Sequence, residues 1–218
     1  MIDLSRPFHQ LATVVIDTET TGIGDDDRIV EIATVRYEDC FPVAKWCSLV
    51  DPGIDIPDAA TAIHGISNAD VRGMPALEDV AGELLRVSKD AVPCAYSANF
   101  DRAMLHKQIS GADCLAFDPA QSWIDVLVLV RHFDRRVSGK GKNKLEKACA
   151  RHGITLEGAH RALADALACG GLLWAFKPRL RDMRAADLIR RCDERRAEQE
   201  RDFQEWLARQ NALNGAAE

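Results

Sequence analysis

Five side chains of this sequence have the types and spacing to do chemistry together. Asp17 and Glu19 stand in VVIDTETTG, behind an apolar run and ahead of a glycine. Side chains two apart on a strand point to the same face, so these carboxylates lie side by side if the strand continues that far. Like charges at that distance repel unless a cation sits between them. Oxygen ligands of this hardness suit Mg²⁺ or Mn²⁺, which combine one or two carboxylates with waters and phosphate oxygens. By itself the pair also describes two solvated acids at a strand end, so further acids are needed.

Asp101 and Asp165 supply them. Asp101, in YSANFD, follows a strand-like run and falls in the first turn of a predicted helix. There it either joins the pair or is simply stabilised by the helix dipole. Asp165, in HRALAD, is surrounded by Ala162, Leu163, Ala164, Ala166 and Leu167, and an acid in such surroundings needs a partner. His160 precedes it by five residues, about 140° apart on a regular helix. The two converge only if His160 lies ahead of the first full turn, an exit that Gly158 makes easy. An imidazole there is either structural or a general base for a water above the acids.

The elements that must position these residues follow from periodicity. Residues 11–16 form a β-branched run expected of a strand buried on both faces. Strand-like runs at 28–37 and 46–50, with GIGDDD and EDCFP as turns, predict an antiparallel meander. Leu77, Val80, Ala81, Leu84 and Leu85 mark an amphipathic helix. A short strand at 92–96 then leads into a helix carrying Ala103, Met104 and Leu105. The run IDVLVLVRHF is ambiguous by pattern and is assigned mostly to helix. SGKGKN at 138–143 is a loop, with Asn143 the expected cap of a helix ending at Gly153, and a last core helix spans about 160–176. This order predicts an α/β fold, a mixed sheet with helices on its faces.

Beyond Pro178 the composition changes. Residues 178–218 hold nine basic and nine acidic side chains, so the net charge of −6 belongs to the first 177 residues. The tail is helical by propensity, with Ile189, Cys192, Phe203, Trp206 and Leu207 near a heptad phase interrupted by Arg196 and Gln199. It either docks on its own domain or binds a partner. The expected organisation is a domain at 1–177 and a charged helical extension at 178–218.

At 47% hydrophobic and 28% charged residues the chain is an ordinary globular protein, neither disordered nor fibrous. Its negative charge gives no overall field for a polyanion, so any nucleic-acid contact must be local or metal-mediated. The seven cysteines lack the close spacing of a zinc knuckle or redox pair and read as reduced thiols. The N-terminus lacks a signal-like region, and no apolar run approaches the roughly 20 residues needed to span a bilayer. A cytoplasmic protein without membrane association is expected.

Taken in order, DTETTG, HGIS at 64–67, NFD and HRALAD span residues 13–175. The set resembles the DEDDh group of 3′-to-5′ exonucleases in the ribonuclease H-like superfamily, which includes polymerase proofreading subunits and ribonuclease T-like enzymes. The resemblance implies a ribonuclease H-like sheet and two divalent cations, Mg²⁺ or Mn²⁺. Asp17, Glu19 and Asp165 would hold one, and Asp17 would bridge to a second held by Asp101. His160 would take the proton from the attacking water, leaving a nucleoside 5′-monophosphate. Thr18 and Thr20 would lie near the terminal sugar, and Ile63 and His64 against the last bases. Phe100 is the one aromatic near a motif; Ile63 and Phe100 also read as core. Lys140, Lys142, Lys144 and Lys147 either track phosphates or form a solvated loop. The chain departs from many relatives at Tyr96-Ser97, where they carry His-Asn.

The function so implied is removal of nucleotides from DNA 3′ ends, with single-stranded DNA the preferred substrate. The alternatives are an RNA 3′-end exonuclease and a non-catalytic adaptor that binds 3′ ends or a polymerase. A protein partner or a homodimer through the C-terminal helix is the further expectation.

Overall fold

The computed structural model describes residues 2–109, 123–135, 137, 139 and 141–215. After a 3₁₀ turn at Phe8–Gln10, β1 (Thr13–Thr20), β2 (Ile29–Glu38) and β3 (Phe41–Leu49) form the antiparallel meander. Then come α1 (Asp58–His64), α2 (Asn68–Val71), α3 (Leu77–Ser88), β4 (Val92–Ala95) and α4 (Ala98–Gln108). The rest of the chain is β5 (Ile124–Asp125), α5 (Val126–Phe133), α6 (Leu145–Arg151), α7 (Ala162–Ala175), α8 (Lys177–Leu180) and α9 (Ala185–Gly215). The sheet runs β3-β2-β1-β4-β5, with β4 and β5 joining parallel to β1. It is the mixed α/β sheet that the order of elements predicts.

The central strand β1 serves two cores by simple alternation. Val14 and Ile16 pack with Leu84 of α3 and with Met104 and Leu105 of α4. Val15 faces the other layer, where Leu172 and Leu173 of α7 meet Phe8 and Phe176. That second layer continues through Leu180, Ala185, Leu188 and Cys192, so the start of α9 is packed into the same core. No helix among the described residues is long and apolar enough to cross a membrane.

Several boundaries differ from expectation for identifiable reasons. β1 runs past Ile16 to Thr20 because its polar end is held by backbone pairing with β2, Asp17 opposite Ala33 and Glu19 opposite Glu31. β3 begins at Phe41 rather than residue 46; it is an exposed edge strand containing Pro42, so no buried alternation announces it. The turn shrinks to Asp39-Cys40, whose φ values of 49° and 71° suit a two-residue hairpin. Asn143 is not the cap of α6: Lys144 occupies that place without a side-chain cap. Asn143 instead accepts from Arg151 Nη2 at 2.9 Å, and its carbonyl accepts from the Tyr96 hydroxyl at 2.5 Å, bracing the loop against α6 and the end of β4. The short helices α1 and α2 escape periodicity altogether. Their signals are local: Gly65, at φ 74°, ends α1, and Asp70 accepts from the Ser67 backbone and hydroxyl at the start of α2.

The run IDVLVLVRHF is two residues of strand followed by α5, mostly helix as its assignment has it. The last core helix, α7, begins at Ala162, which leaves His160 outside it. α7 is rich in Ala and Gly and lies close to the sheet. Tyr37 donates to the Leu167 carbonyl at 3.4 Å, and a Cβ at Gly170 would overlap the Tyr37 ring and hydroxyl. Gly170→Ala is therefore expected to destabilise by about 1–3 kcal/mol through overpacking, against the ~1 kcal/mol that alanine adds in a helix interior. Urea denaturation checks this; a stabilised variant would mean that Tyr37 yields freely.

Candidate active site

The C-terminal end of β1 faces the first turn of α7. Because β1 stays extended through Thr20, Asp17 and Glu19 project to the same side, and Asp165 meets them from α7. One carboxylate oxygen from each lies within 4.8 Å of the others. Asp165 Oδ2 accepts from the His160 backbone N–H at 3.3 Å, while its Oδ1 is buried with no hydrogen-bond partner among the described residues. His160 is exposed and sits two residues before α7 with φ 64°. It thus lies ahead of the first full turn, as convergence with Asp165 requires.

Asp101 lies outside that trio. It is buried in the first turn of α4, and its Oδ1 accepts from the Thr18 N–H at 3.1 Å and from the Thr18 hydroxyl at 2.8 Å. Thr18 points to the opposite side of β1 from its two acidic neighbours, so its hydroxyl ties α4 to the strand. The Thr20 hydroxyl donates to the Gly22 carbonyl at 2.6 Å and closes the turn after β1. Ile63 is 61% exposed, whereas His64 is buried with Nδ1 accepting from the Ile66 N–H at 3.0 Å. Burial holds the His64 imidazole below its ordinary pKa. Phe100 packs, partly buried, against the core layer of α3 and α4. Lys142, Lys144 and Lys147 are exposed; Lys140 lies outside the described residues. Ser97 has φ 72° and ψ 53° at the start of α4, a left-handed conformation that residues with a Cβ rarely adopt.

Two groups absent from the sequence-based set complete the surroundings. Glu31, 1% exposed and opposite Glu19 in the β1–β2 ladder, accepts from Arg161 Nη2 at 2.6 Å, from Arg161 Nε at 3.1 Å and from the Ala162 N–H at 2.8 Å. It anchors the chain immediately after His160. The signal was present as a lone acid inside the apolar strand RIVEIATV, which needs a buried partner. Asp125, also buried, accepts from the Val128 N–H at 3.2 Å and caps α5.

The electrostatics follow from this crowding. Burial first, then the neighbouring carboxylates, push Glu19 up to about 8 and Asp17 well above the usual carboxylate range. Burial raises Asp101 to about 7 against the pull of the Thr18 hydrogen bonds, and it raises Asp165 as well. Acids that resist ionisation, an unpartnered buried oxygen and a hard oxygen donor set together fit a divalent cation of the Mg²⁺ or Mn²⁺ type.

A mixed sheet with a carboxylate cluster at the end of its central strand is the framework of a nuclease. Residues 14–173 match the RNase T exonuclease family, and the chain belongs to it. It is 33% identical over 171 residues to an uncharacterised exonuclease, CP81, of Escherichia phage 186, covering 75% of this chain and 87% of that protein. It is 34% identical over 183 residues to a DNA polymerase III subunit epsilon-like protein of Rhodobacter capsulatus, covering 80% of this chain but only 25% of that protein's length. The structure of exonuclease X in complex with 5′-overhanging duplex DNA superimposes with a TM-score of 0.64 and 26% identity, over 81% of this chain and 99% of that one.

Two outcomes follow. In the cation-free protein the folded state holds protons that the unfolded chain releases near pH 4. Stability contributed by the raised acids is therefore complete below about pH 4 and lost as pH climbs toward 8. A cation that replaces those protons binds more tightly as pH rises, so the thermal shift produced by Mn²⁺ is expected to be larger at pH 8 than at pH 6. Equal shifts would contradict the cluster's protonation. Arg161→Ala leaves Glu31 buried without its cation, and with the arginine half exposed the expected cost is about 2 kcal/mol, between an exposed and a buried pair. A loss below about 0.5 kcal/mol in chemical denaturation would reduce the pair to a surface contact.

Proposed function

We propose that this protein is a metal-dependent 3′-to-5′ exonuclease that removes nucleoside 5′-monophosphates from DNA 3′ ends. The observation that carries the reading is the convergence of Asp17, Glu19 and Asp165, with one Asp165 oxygen left unpartnered and the other bonded by the backbone N–H of the exposed His160. Asp17, Glu19 and Asp165 would hold one divalent cation, and Asp101 with Asp17 a second. Two such ions, Mg²⁺ or Mn²⁺, supply charge stabilisation to the phosphoryl oxygens and the leaving 3′ oxygen.

The chain's own groups do the rest. His160 accepts the proton of the water whose oxygen attacks phosphorus, and the 3′ oxygen, released as its bond to phosphorus breaks, takes a proton from solvent. The Glu31–Arg161 pair and the Asp165–His160 backbone bond hold the backbone at His160 beside the acids. Thr18, by holding Asp101, keeps the second carboxylate in reach. Exposed Ile63 offers an apolar contact for the terminal base, with Thr20, His64 and Phe100 shaping the surroundings.

The epsilon-like relative supports DNA as the substrate and a polymerase-type protein as a partner. Single strands are the preferred form in this reading. Residues 1–177 would carry the chemistry, and a partner protein or a second copy would engage the helical extension, 178–218, beyond its docked start. The six described cysteines are free thiols, which supports a reducing, cytoplasmic setting.

A time course of 5′-labelled single strands of DNA and RNA with Mg²⁺ or Mn²⁺ tests the reading. A ladder shrinking from the 3′ end is expected, faster on DNA and absent without metal. Asp17→Ala should abolish it while the fold persists, and His160→Ala should slow it by about 10²–10⁴-fold with the Mn²⁺ thermal shift retained. Unchanged turnover in Asp17→Ala would rule out the metal assignment, and loss of the thermal shift in His160→Ala would reassign the histidine as a ligand.

A further inference from the structure

The family match ends at residue 173, yet α9 lines the cleft that reaches His160 and Asp165. This cleft encloses about 1460 Å³. That exceeds the roughly 300–1,000 Å³ of a pocket for one small ligand. His160, Asp165, Arg131 of α5 and Lys144 before α6 line it, and α9 contributes Arg196, Gln199, Glu200 and Asp202 to the same lining.

The helix is fixed in that position by successive turns. Leu188 and Cys192 are buried in the core, Arg196 Nε lies 3.7 Å from buried Asp125, and Gln199 Oε1 accepts from Arg131 Nη1 at 3.1 Å. Spacings of four, four and three residues keep all four contacts on one helix face. Gln199 orients the Arg131 guanidinium without neutralising it. Arg131 and Lys144 are exposed and form no ion pair among the described residues, whereas Arg196 is occupied by Asp125 and Asp193.

We propose that this α9-walled cleft is the groove for the single-stranded nucleotides that follow the terminal one, with Arg131 and Lys144 receiving their phosphates. The assignment rests on the exonuclease reading and adds the extension to the substrate site. Glu200 and Asp202 on α9 repel a phosphate backbone, and Arg131 and Lys144 in the same lining attract it.

Steady-state kinetics on a long single strand and on a dinucleotide, at several salt concentrations, test the assignment. For Arg131→Ala the KM of the long strand is expected to rise about three- to tenfold relative to that of the dinucleotide. Its salt dependence should flatten by about 0.7 in logarithmic slope, the value for one lost phosphate contact on a single strand. Glu200→Lys should lower the long-strand KM by a comparable factor. Glu83→Lys on α3, across the sheet, adds the same charge and should change neither substrate, which separates a groove contact from a general field. An unchanged ratio of KM values in both cleft variants, or an equal effect from Glu83→Lys, would overturn the groove while leaving the exonuclease intact. A wild-type protein that hydrolyses neither substrate would overturn both.

Discussion

Carboxylates that face one another across the end of a strand repel, and the surrounding structure is organised around that repulsion. Asp17, Glu19 and Asp165 bring their oxygens within 4.8 Å, with Asp101 close enough to raise the first two further. Nothing in the trio's own chemistry would hold it together without protons or a cation. The geometry is imposed from outside: two donors from Thr18 restrain Asp101, and Arg161 neutralises Glu31, a fifth acid directly across the ladder. Positioning energy comes from these neutral or paired contacts, so the acids themselves stay available for a ligand.

The sheet explains why the acids can come from distant parts of the chain. β4 runs parallel to β1, so the helix that follows β4 starts at the carboxyl end of β1, the edge where ligands gather in open α/β sheets. That places Asp101 beside Thr18 near the end of β1. α7 then has to come down onto β1 and β2 from the opposite layer. The small residues of α7, with Gly170 against Tyr37, set how close Asp165 approaches the strand.

Much of this was legible in the sequence, and what was not has physical causes. Asp165 stands out as an acid among apolar neighbours, and the other three acids and His160 through motifs whose order along the chain matches one family. The meander, α3, α4 and the placing of His160 ahead of the last core helix follow from periodicity and glycine placement. The first half of β3 is hidden from pattern because an exposed edge strand carries no alternation, and α1 and α2 are hidden because helices of seven and four residues show no period. Asn143 looked like a cap because its type and place allowed it, but Arg151 and Tyr96 claim its polar groups. Glu31 with Arg161, and the cleft wall on α9, depend on residues 130 or 68 positions apart in the chain. Local pattern holds no trace of such pairings.

The packing of Leu180, Ala185, Leu188 and Cys192 into the layer shared by Phe8, Val15 and Phe176 bears on how the chain can be divided. The stretch that carries the family signature and the stretch that excludes water from the core are not the same length. A fragment cut where the signature stops would keep every acid but expose the apolar underside of α7 and the 3₁₀ turn at Phe8–Gln10. The clustered acids lie inside the matched stretch, 14–173, whereas the cohesion of the core belongs to a longer piece of chain.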